Sequence, residues 1–279
     1  MTSSSPIPVG HFVDIDPVAG APQRVHYEEQ GEGEVVIFLH GAGAGASGYS
    51  NFKGNYPEFA KAGYHCIVPD LLGYGLSSKP DIEQYDLDFF IAGVKGLVDK
   101  LGVQDLTLLG NSLGGAVALG YALAYPAEVK RLILMAPGGV EDLETYFQQP
   151  GIINMFEVYK TGVSGIDAMR KIMRMLVFKP ESLTEEIIHE RAPIAPTQTN
   201  AARSVLKVPN MTQRLCEIKC PIFGFWGVND AFNPVGGAMK IVEHAPDARI
   251  ELVNQCGHWV QVEHRDMFNR LCIDFLKHS

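Results

Sequence analysis

Short apolar runs alternate with longer mixed segments along most of the chain. Val35-Val36-Ile37-Phe38-Leu39 is an unbroken apolar run, as expected of a strand buried on both faces. Further strands are expected over 65–70, 106–109, 129–135, 222–226 and 249–253. Between them the pattern predicts helices over about 50–62, 87–101, 113–125, 235–244 and 260–277. In 87–101 the apolar positions fall near helical spacing. At the N-terminus, 11–16 and 24–30 read as two antiparallel strands joined by a Pro/Gly turn over 17–22, after a loose tail of residues 1–8. Strand and helix in alternation predict an α/β fold: a mostly parallel sheet flanked by helices on both faces.

The alternation lapses between 137 and 208. That stretch reads as helices and loops rich in Met and aromatic residues, among them Met155, Phe156, Met169, Met173, Met175 and Phe178. More core would be the plain explanation. A contiguous helical stretch inserted after a strand is better read as a cap over a site. The expected organisation is one α/β core, 1–136 and 209–279, with an inserted helical cap, 137–208. There are no internal repeats and no low-complexity segments.

Length and charge narrow the function. The 279 residues can bury one large core. A net charge of −9 argues against a nucleic-acid surface. No apolar run reaches membrane-spanning length, and the N-terminus lacks the basic and apolar regions of a signal peptide. The five cysteines, Cys66, Cys216, Cys220, Cys256 and Cys272, are scattered and odd in number, so they read as free thiols in a reducing cytoplasm. Cys216 and Cys220 have no second pair at matching spacing, so no metal site is expected.

The chemistry centres on Gly110-Asn111-Ser112-Leu113-Gly114-Gly115, between the 106–109 strand and the 113–125 helix. Gly110-x-Ser112-x-Gly114 in that context is a nucleophile elbow of the α/β-hydrolase kind. The sharp turn strains the Ser112 backbone and lifts Oγ above the sheet, and the glycines let strand and helix approach closely. The helix that begins there directs its positive end at a developing oxyanion. The chain order of such a triad is Ser, then Asp or Glu, then His. Asp230 follows the 222–226 strand and His258 follows the 249–253 strand, both at C-terminal strand ends. His258 would shuttle the Ser112 proton and Asp230 would orient the imidazole. A structural histidine and a helix N-cap are ordinary alternatives for these two, but the three together at the expected positions outweigh them.

His40 and the glycine loop fit the same pattern in lesser roles. His40 orders the glycine loop that it opens. His26, His65, His189, His244 and His264 have no neighbours that suggest a site. Gly43-Ala44-Gly45-Ala46-Ser47-Gly48 fits a dinucleotide fingerprint, with Asp70 at the end of the next strand. That reading is set aside, because two strands precede the loop, His40-Gly41 opens it and the helix after it starts late. In a hydrolase the loop supplies a backbone N–H, from Ala42, which pairs with the Leu113 N–H to form an oxyanion hole.

These residues together resemble the meta-cleavage-product hydrolases, carbon–carbon bond hydrolases of aromatic-ring degradation within the α/β-hydrolase superfamily. The resemblance is carried by residues 40–46, Ser50-Asn51-Phe52, the elbow, Trp226-Gly227 with Asp230, and Cys256-Gly257-His258-Trp259 running on to Phe268-Asn269-Arg270-Leu271. It covers nearly the whole chain and is weakest in the cap. It implies a cofactor-free, metal-free cytoplasmic enzyme acting on a small 2-hydroxy-6-oxo-hexa-2,4-dienoate, with no nucleic-acid or membrane partner, as a homo-oligomer of two or more copies. It implies that Asn51, Asn111, Arg191 and Trp259 bind substrate, with Arg191 gripping the carboxylate end as guanidinium does. Leu176 stands where many members carry a cap phenylalanine near the reacting bond, and Ala44 where they usually carry proline. The rivals are a carboxylesterase or lactonase with the same triad, and a non-catalytic ligand-binding receptor of the same fold.

Overall fold

A computed structural model describes residues 8–82, 85–161, 165–198 and 208–279. Apart from Pro8, the tail expected over 1–8 lies outside the described residues, as do 162–164 and 199–207 of the expected cap. The described chain runs β1 (His11–Val18), β2 (Ala21–Gln30), β3 (Glu34–Leu39), α1 (Gly48–Phe52), α2 (Tyr56–Lys61), β4 (Tyr64–Pro69) and α3 (Leu87–Leu101). It continues with β5 (Leu106–Asn111), α4 (Leu113–Ala124), β6 (Val129–Met135), α5 (Leu143–Phe147), α6 (Pro150–Lys160), α7 (Gly165–Met175) and α8 (Glu185–Arg191). It ends with β7 (Ile222–Gly227), α9 (Gly236–His244), β8 (Ala248–Val253), α10 (Val260–Glu263) and α11 (Arg265–His278).

The strands form one sheet in the order β1-β2-β4-β3-β5-β6-β7-β8. Only β2 runs against its neighbours β1 and β4; the pairs from β4 to β8 are parallel. Side chains alternate between the faces of a strand, and the apolar runs therefore fill two cores. Ile37 and Leu39 pack with the α3 and α4 side, whereas Val36 and Phe38 pack with Phe52, Phe59 and Phe268 on the other. β5 is buried at every residue, which explains why its sequence shows no polar alternation.

Several element boundaries differ from the sequence pattern, each for a local reason. The N-terminal hairpin turns on two residues, Ala19 and Gly20, both with positive φ, and Val18 pairs Ala21; the Pro/Gly stretch is mostly strand. The expected 50–62 helix is two helices. Asn55 breaks it by donating from Nδ2 to Gln261 O and Asn269 Oδ1, and Pro57 opens α2, where its missing N–H costs nothing. The expected 260–277 helix is interrupted at His264, whose ψ of 45° is not helical.

Between β6 and β7 the chain leaves the sheet and forms α5 to α8. Ile152, Met169, Met173, Leu176, Ile187 and Ile188 make a third apolar cluster with Ala44, Phe232 and Trp259. The cluster joins the helical segment to loops at the C-terminal ends of β3, β7 and β8.

Candidate active site

The elbow has the geometry its glycines require. Ser112 sits at φ 53°, ψ −113°, a backbone conformation that a residue with a Cβ rarely adopts. A Cβ on Gly110 would lie 2.3 Å from Gly114 O, and one on Gly114 would lie 2.0 Å from Leu39 O. Strand and helix therefore approach more closely than any other residue would allow. The turn is tied down by Ser112 N–H to Met135 O at 3.0 Å and by Gly138 N–H to Ser112 O at 2.9 Å.

His258 and Asp230 meet across two loops. His258 Nδ1 donates to Asp230 Oδ2 at 2.7 Å, and the Asp230 side chain is fully buried. A carboxylate only accepts, so this bond fixes the proton on Nδ1 and leaves Nε2 as the basic nitrogen. Asp230 Oδ1 accepts from the Phe232 and Asn233 N–H groups at 2.8 and 3.0 Å, which holds the carboxylate plane. The His258 N–H donates to Leu176 O at 2.8 Å. Ser112 and His258 line the same cavity.

The remaining expected residues divide. Ala42, Leu113, Asn111, Arg191, Trp259 and Leu176 all line that cavity. Asn111 is wholly buried. Its Nδ2 is committed to Met135 O and His258 O, while Oδ1 meets no donor among the described residues. Arg191 is only 1% exposed. Its Nη1 donates to Met173 Sδ at 3.1 Å and its guanidinium stands 5.2 Å from the centre of the Trp259 ring. Asn51 is placed differently from its expected role. It lies in α1 behind the glycine loop, with Nδ2 donating to Ser47 O at 2.8 Å, and is not among the lining residues. Phe178, grouped with the cap aromatics, is 44% exposed and is not part of the cluster.

His40 orders the loop as its position suggests. Its Nε2 accepts from Leu71 N–H at 3.0 Å, so Nδ1 holds the proton and donates to Gly41 O at 2.8 Å. Burial pushes its pKa down to about 4, and the ring is neutral. His26 differs from expectation, because it has charged neighbours. It is buried with Asp70 at 2.8 Å and Glu28 at 3.7 Å.

The sequence pattern assigns no role to three supporting residues, although Glu263 falls within the 256–271 stretch that carries the resemblance. Gln198 accepts from Gly45 N–H at 2.8 Å and lines the cavity. Glu263 takes Gly257 N–H on Oε1 at 2.7 Å and Phe178 N–H on Oε2 at 2.7 Å, joining the His258 loop to the segment after α7. Asn233 donates from Nδ2 to Ala136 O at 2.6 Å. Cys256 is buried beside Glu263, and burial together with that carboxylate pushes its thiol pKa well up, so it carries no reactive thiolate.

Comparison with known proteins identifies the family of the chain. The alpha/beta hydrolase fold family matches residues 34–265. The chain is 37% identical over 274 residues to a 2-hydroxy-6-oxononadienedioate/2-hydroxy-6-oxononatrienedioate hydrolase of Comamonas testosteroni, covering 95% of each chain. It is 36% identical over 285 residues to a 2-hydroxy-6-oxo-6-phenylhexa-2,4-dienoate hydrolase of Burkholderia cepacia, covering 99% of each. A variant of the meta-cleavage product hydrolase CumD from Pseudomonas fluorescens IP01 superposes with a TM-score of 0.81 at 26% identity, over 95% of this chain and 97% of that one.

Proposed function

The chain belongs to the α/β hydrolase fold family, with relatives along its full length that are 2-hydroxy-6-oxo-dienoate hydrolases, and from that premise we propose that it hydrolyses a carbon–carbon bond in such a dienoate. The observation that carries this reading is Arg191. A guanidinium buried in the cavity that also holds Ser112 and His258 suits a substrate with an anionic end. A simple ester has no group that needs it.

The roles follow from the chemistry. A vinyl carbanion is a poor leaving group, so the dienol must first become an electron sink. His258 moves the proton of the 2-hydroxyl group to C5, giving a 2,6-dioxo-3-enoate. Arg191, Trp259 and Asn111 hold the carboxylate and 2-oxo end. The Asn111 acceptor, buried with no donor among the described residues, suits the substrate's hydroxyl before ketonisation. Ser112 gives its proton to His258 and attacks the 6-carbonyl, and the Ala42 and Leu113 N–H groups take the oxyanion. Collapse breaks the C5–C6 bond, its electrons pass through C3=C4 to the 2-oxo group, and the dienolate is protonated as it leaves. Water, activated by His258, then releases the acid from Ser112.

In this reading residues 137–208 are a cap over a core of 1–136 and 209–279, supported by the apolar cluster that joins α6 to α8 with Phe232 and Trp259. The protein acts in the cytoplasm, a location that five unpaired thiols suit. A homo-oligomer is the working form by resemblance to the family. Purified protein assayed on ring-fission dienoates and on p-nitrophenyl esters tests the proposal. Dienoate kcat/KM should exceed that for the esters. Ester turnover without any dienoate cleavage would give the case to a carboxylesterase.

A further inference from the structure

We propose that Gln198 is a positioning residue for the oxyanion hole: its amide clamps residues 43–45 and thereby holds the neighbouring Ala42 N–H in its working direction. The proposal rests on the reading of Ser112 as nucleophile and Ala42 as oxyanion donor.

The glycine loop has little stiffness of its own. Gly43 and Gly45 take φ of 130° and 68°, conformations chosen for glycine's freedom, and the same freedom lets the turn drift. Ala44 between them adds no ring to lock φ. Fixed hydrogen bonds from outside must supply the order. On the upstream side, His40 Nδ1–H donates to Gly41 O. The Gly41 C=O and the Ala42 N–H belong to one planar trans peptide, so a bond to the oxygen sets the direction of the N–H.

On the downstream side the anchor is Gln198, which comes from the segment after α8 and not from the core. Its Oε1 accepts from Gly45 N–H at 2.8 Å and its Nε2 donates to Gly43 O at 3.3 Å. One side chain thus fixes the peptides on both sides of Ala44. Gly43 O also accepts from Ala46 N–H at 3.2 Å, which closes the turn. The backbone at the end of α8 is seated at the same place, since a Cβ on Gly45 would lie 2.1 Å from Arg191 O. Gln198 is only 5% exposed, so water competes little for its two bonds. Seating the helical segment and ordering the oxyanion loop are therefore one event.

A residue that only anchors the segment and one that keeps the oxyanion hole aimed differ in what they change. A misaimed donor is missed in the transition state and not in the ground state, so the loss falls on kcat. Removing an oxyanion donor outright costs about a hundredfold or more; loosening one should cost about tenfold. The test uses the full-length enzyme on a p-nitrophenyl ester, which reports acyl transfer without the dienoate end. Gln198→Met keeps the volume and removes both hydrogen bonds. Its kcat should fall about tenfold with KM within about twofold. Affinity for an alkyl boronic acid, which forms a tetrahedral adduct on the serine, should fall by a similar factor. Gln198→Glu keeps the acceptor for Gly45 N–H but loses the donor to Gly43 O, and should lie between the two. It decides the matter by the same kcat and boronic-acid readouts if Gln198→Met does not fold. A kcat within about twofold of wild type, a loss confined to KM, or unchanged boronic-acid affinity would overturn the proposal. Ser112→Ala separates the failures. If it keeps its ester activity, the nucleophile reading falls and this proposal with it; if it is inactive while the Gln198 variants match wild type, only the Gln198 proposal falls.

Discussion

Lys53 Nζ lies 2.7 Å from Glu190 Oε1, tying the end of α1 in the core to α8 one residue before Arg191. The Glu190 side chain is 3% exposed and that of Lys53 is 19% exposed. Burial pushes the Glu190 carboxyl pKa up, and the Lys53 hydrogen bond and charge pull against it. Lys53 also reaches Glu186 at 3.2 Å. One cation therefore registers the face of α8 that leads into the site.

Breaking this pair should cost both stability and substrate binding. Lys53→Met keeps most of the stem and leaves Glu190 buried without its cation. The expected loss is about 2 kcal/mol, below the full cost of a deeply buried pair because Lys53 keeps some water. Dienoate KM should rise several-fold as α8 shifts, with a smaller change in kcat. Chemical denaturation and steady-state kinetics check this, and an unchanged unfolding midpoint would refute the latch.

His26 and Asp70 make the stability depend on pH with a definite sign. Burial acts to lower the His26 pKa, but the Asp70 hydrogen bond and the Asp70 and Glu28 charges outweigh it, and the pKa stands above 6.5. Burial acts to raise the Asp70 pKa, but the His26 hydrogen bond, the His26 charge and the Leu76 N–H hold it below 3.8. The His26 contribution is therefore complete below pH 6.5 and is lost as pH rises through its folded value. The Asp70 contribution is present above pH 3.8 and is lost as pH falls through its own folded value. Asp70 also accepts from Gly48 N–H and Leu76 N–H at 2.7 Å each, so losing the pair loosens the start of α1. Tm should fall on the alkaline side, and His26→Gln should flatten that limb. Melting curves between about pH 5 and pH 9 decide it; equal alkaline slopes in both proteins would remove His26 as the cause.

What the sequence pattern reveals is what local sterics dictate. The β5–Ser112–α4 turn is legible because its two glycines answer contacts of 2.3 and 2.0 Å that no other residue tolerates. β3 and β5 are legible because both faces are covered, which leaves only apolar residues. The break at Asn55 is not, because its partners Gln261 and Asn269 are more than two hundred residues away. Gln198 and the Lys53–Glu190 pair are hidden for the same reason, with partners 153 and 155 positions away for Gln198 and 137 for the pair. Each acts across the fold through one side chain, with no period or spacing to mark it. Nothing near His26 in the sequence marks it, because its partner Asp70 lies forty-four positions on.

Leu176 should govern the size of group accepted at C6. Its side chain lines the cavity and its carbonyl receives the His258 N–H, so a substitution alters the wall while the backbone contact remains. Leu176→Phe adds a ring where substrate would lie. Preference for a 6-methyl over a 6-phenyl dienoate should rise about tenfold. An unchanged ranking across a 6-alkyl and 6-aryl series would place the substituent elsewhere.

Arg191 separates carbon–carbon hydrolysis from ester hydrolysis most directly. The guanidinium is buried against Trp259 and Met173, and its charge helps to keep His40 neutral. Arg191→Gln removes the charge and retains part of the stem. If a dienoate carboxylate binds there, a desolvated, charge-assisted contact is lost, and dienoate kcat/KM should fall about a hundredfold or more. A neutral p-nitrophenyl ester makes no such contact and should lose less than about threefold. The two losses are to be measured on one preparation, so that a misfolded fraction lowers both alike and cancels in their ratio. Unfolding midpoints of the two proteins show whether the buried charge also supports the fold. Equal losses on both substrates would make Arg191 a general support for the loop that it touches at Gly45. A large dienoate loss beside a nearly intact ester rate would place the anionic end of the substrate at Arg191.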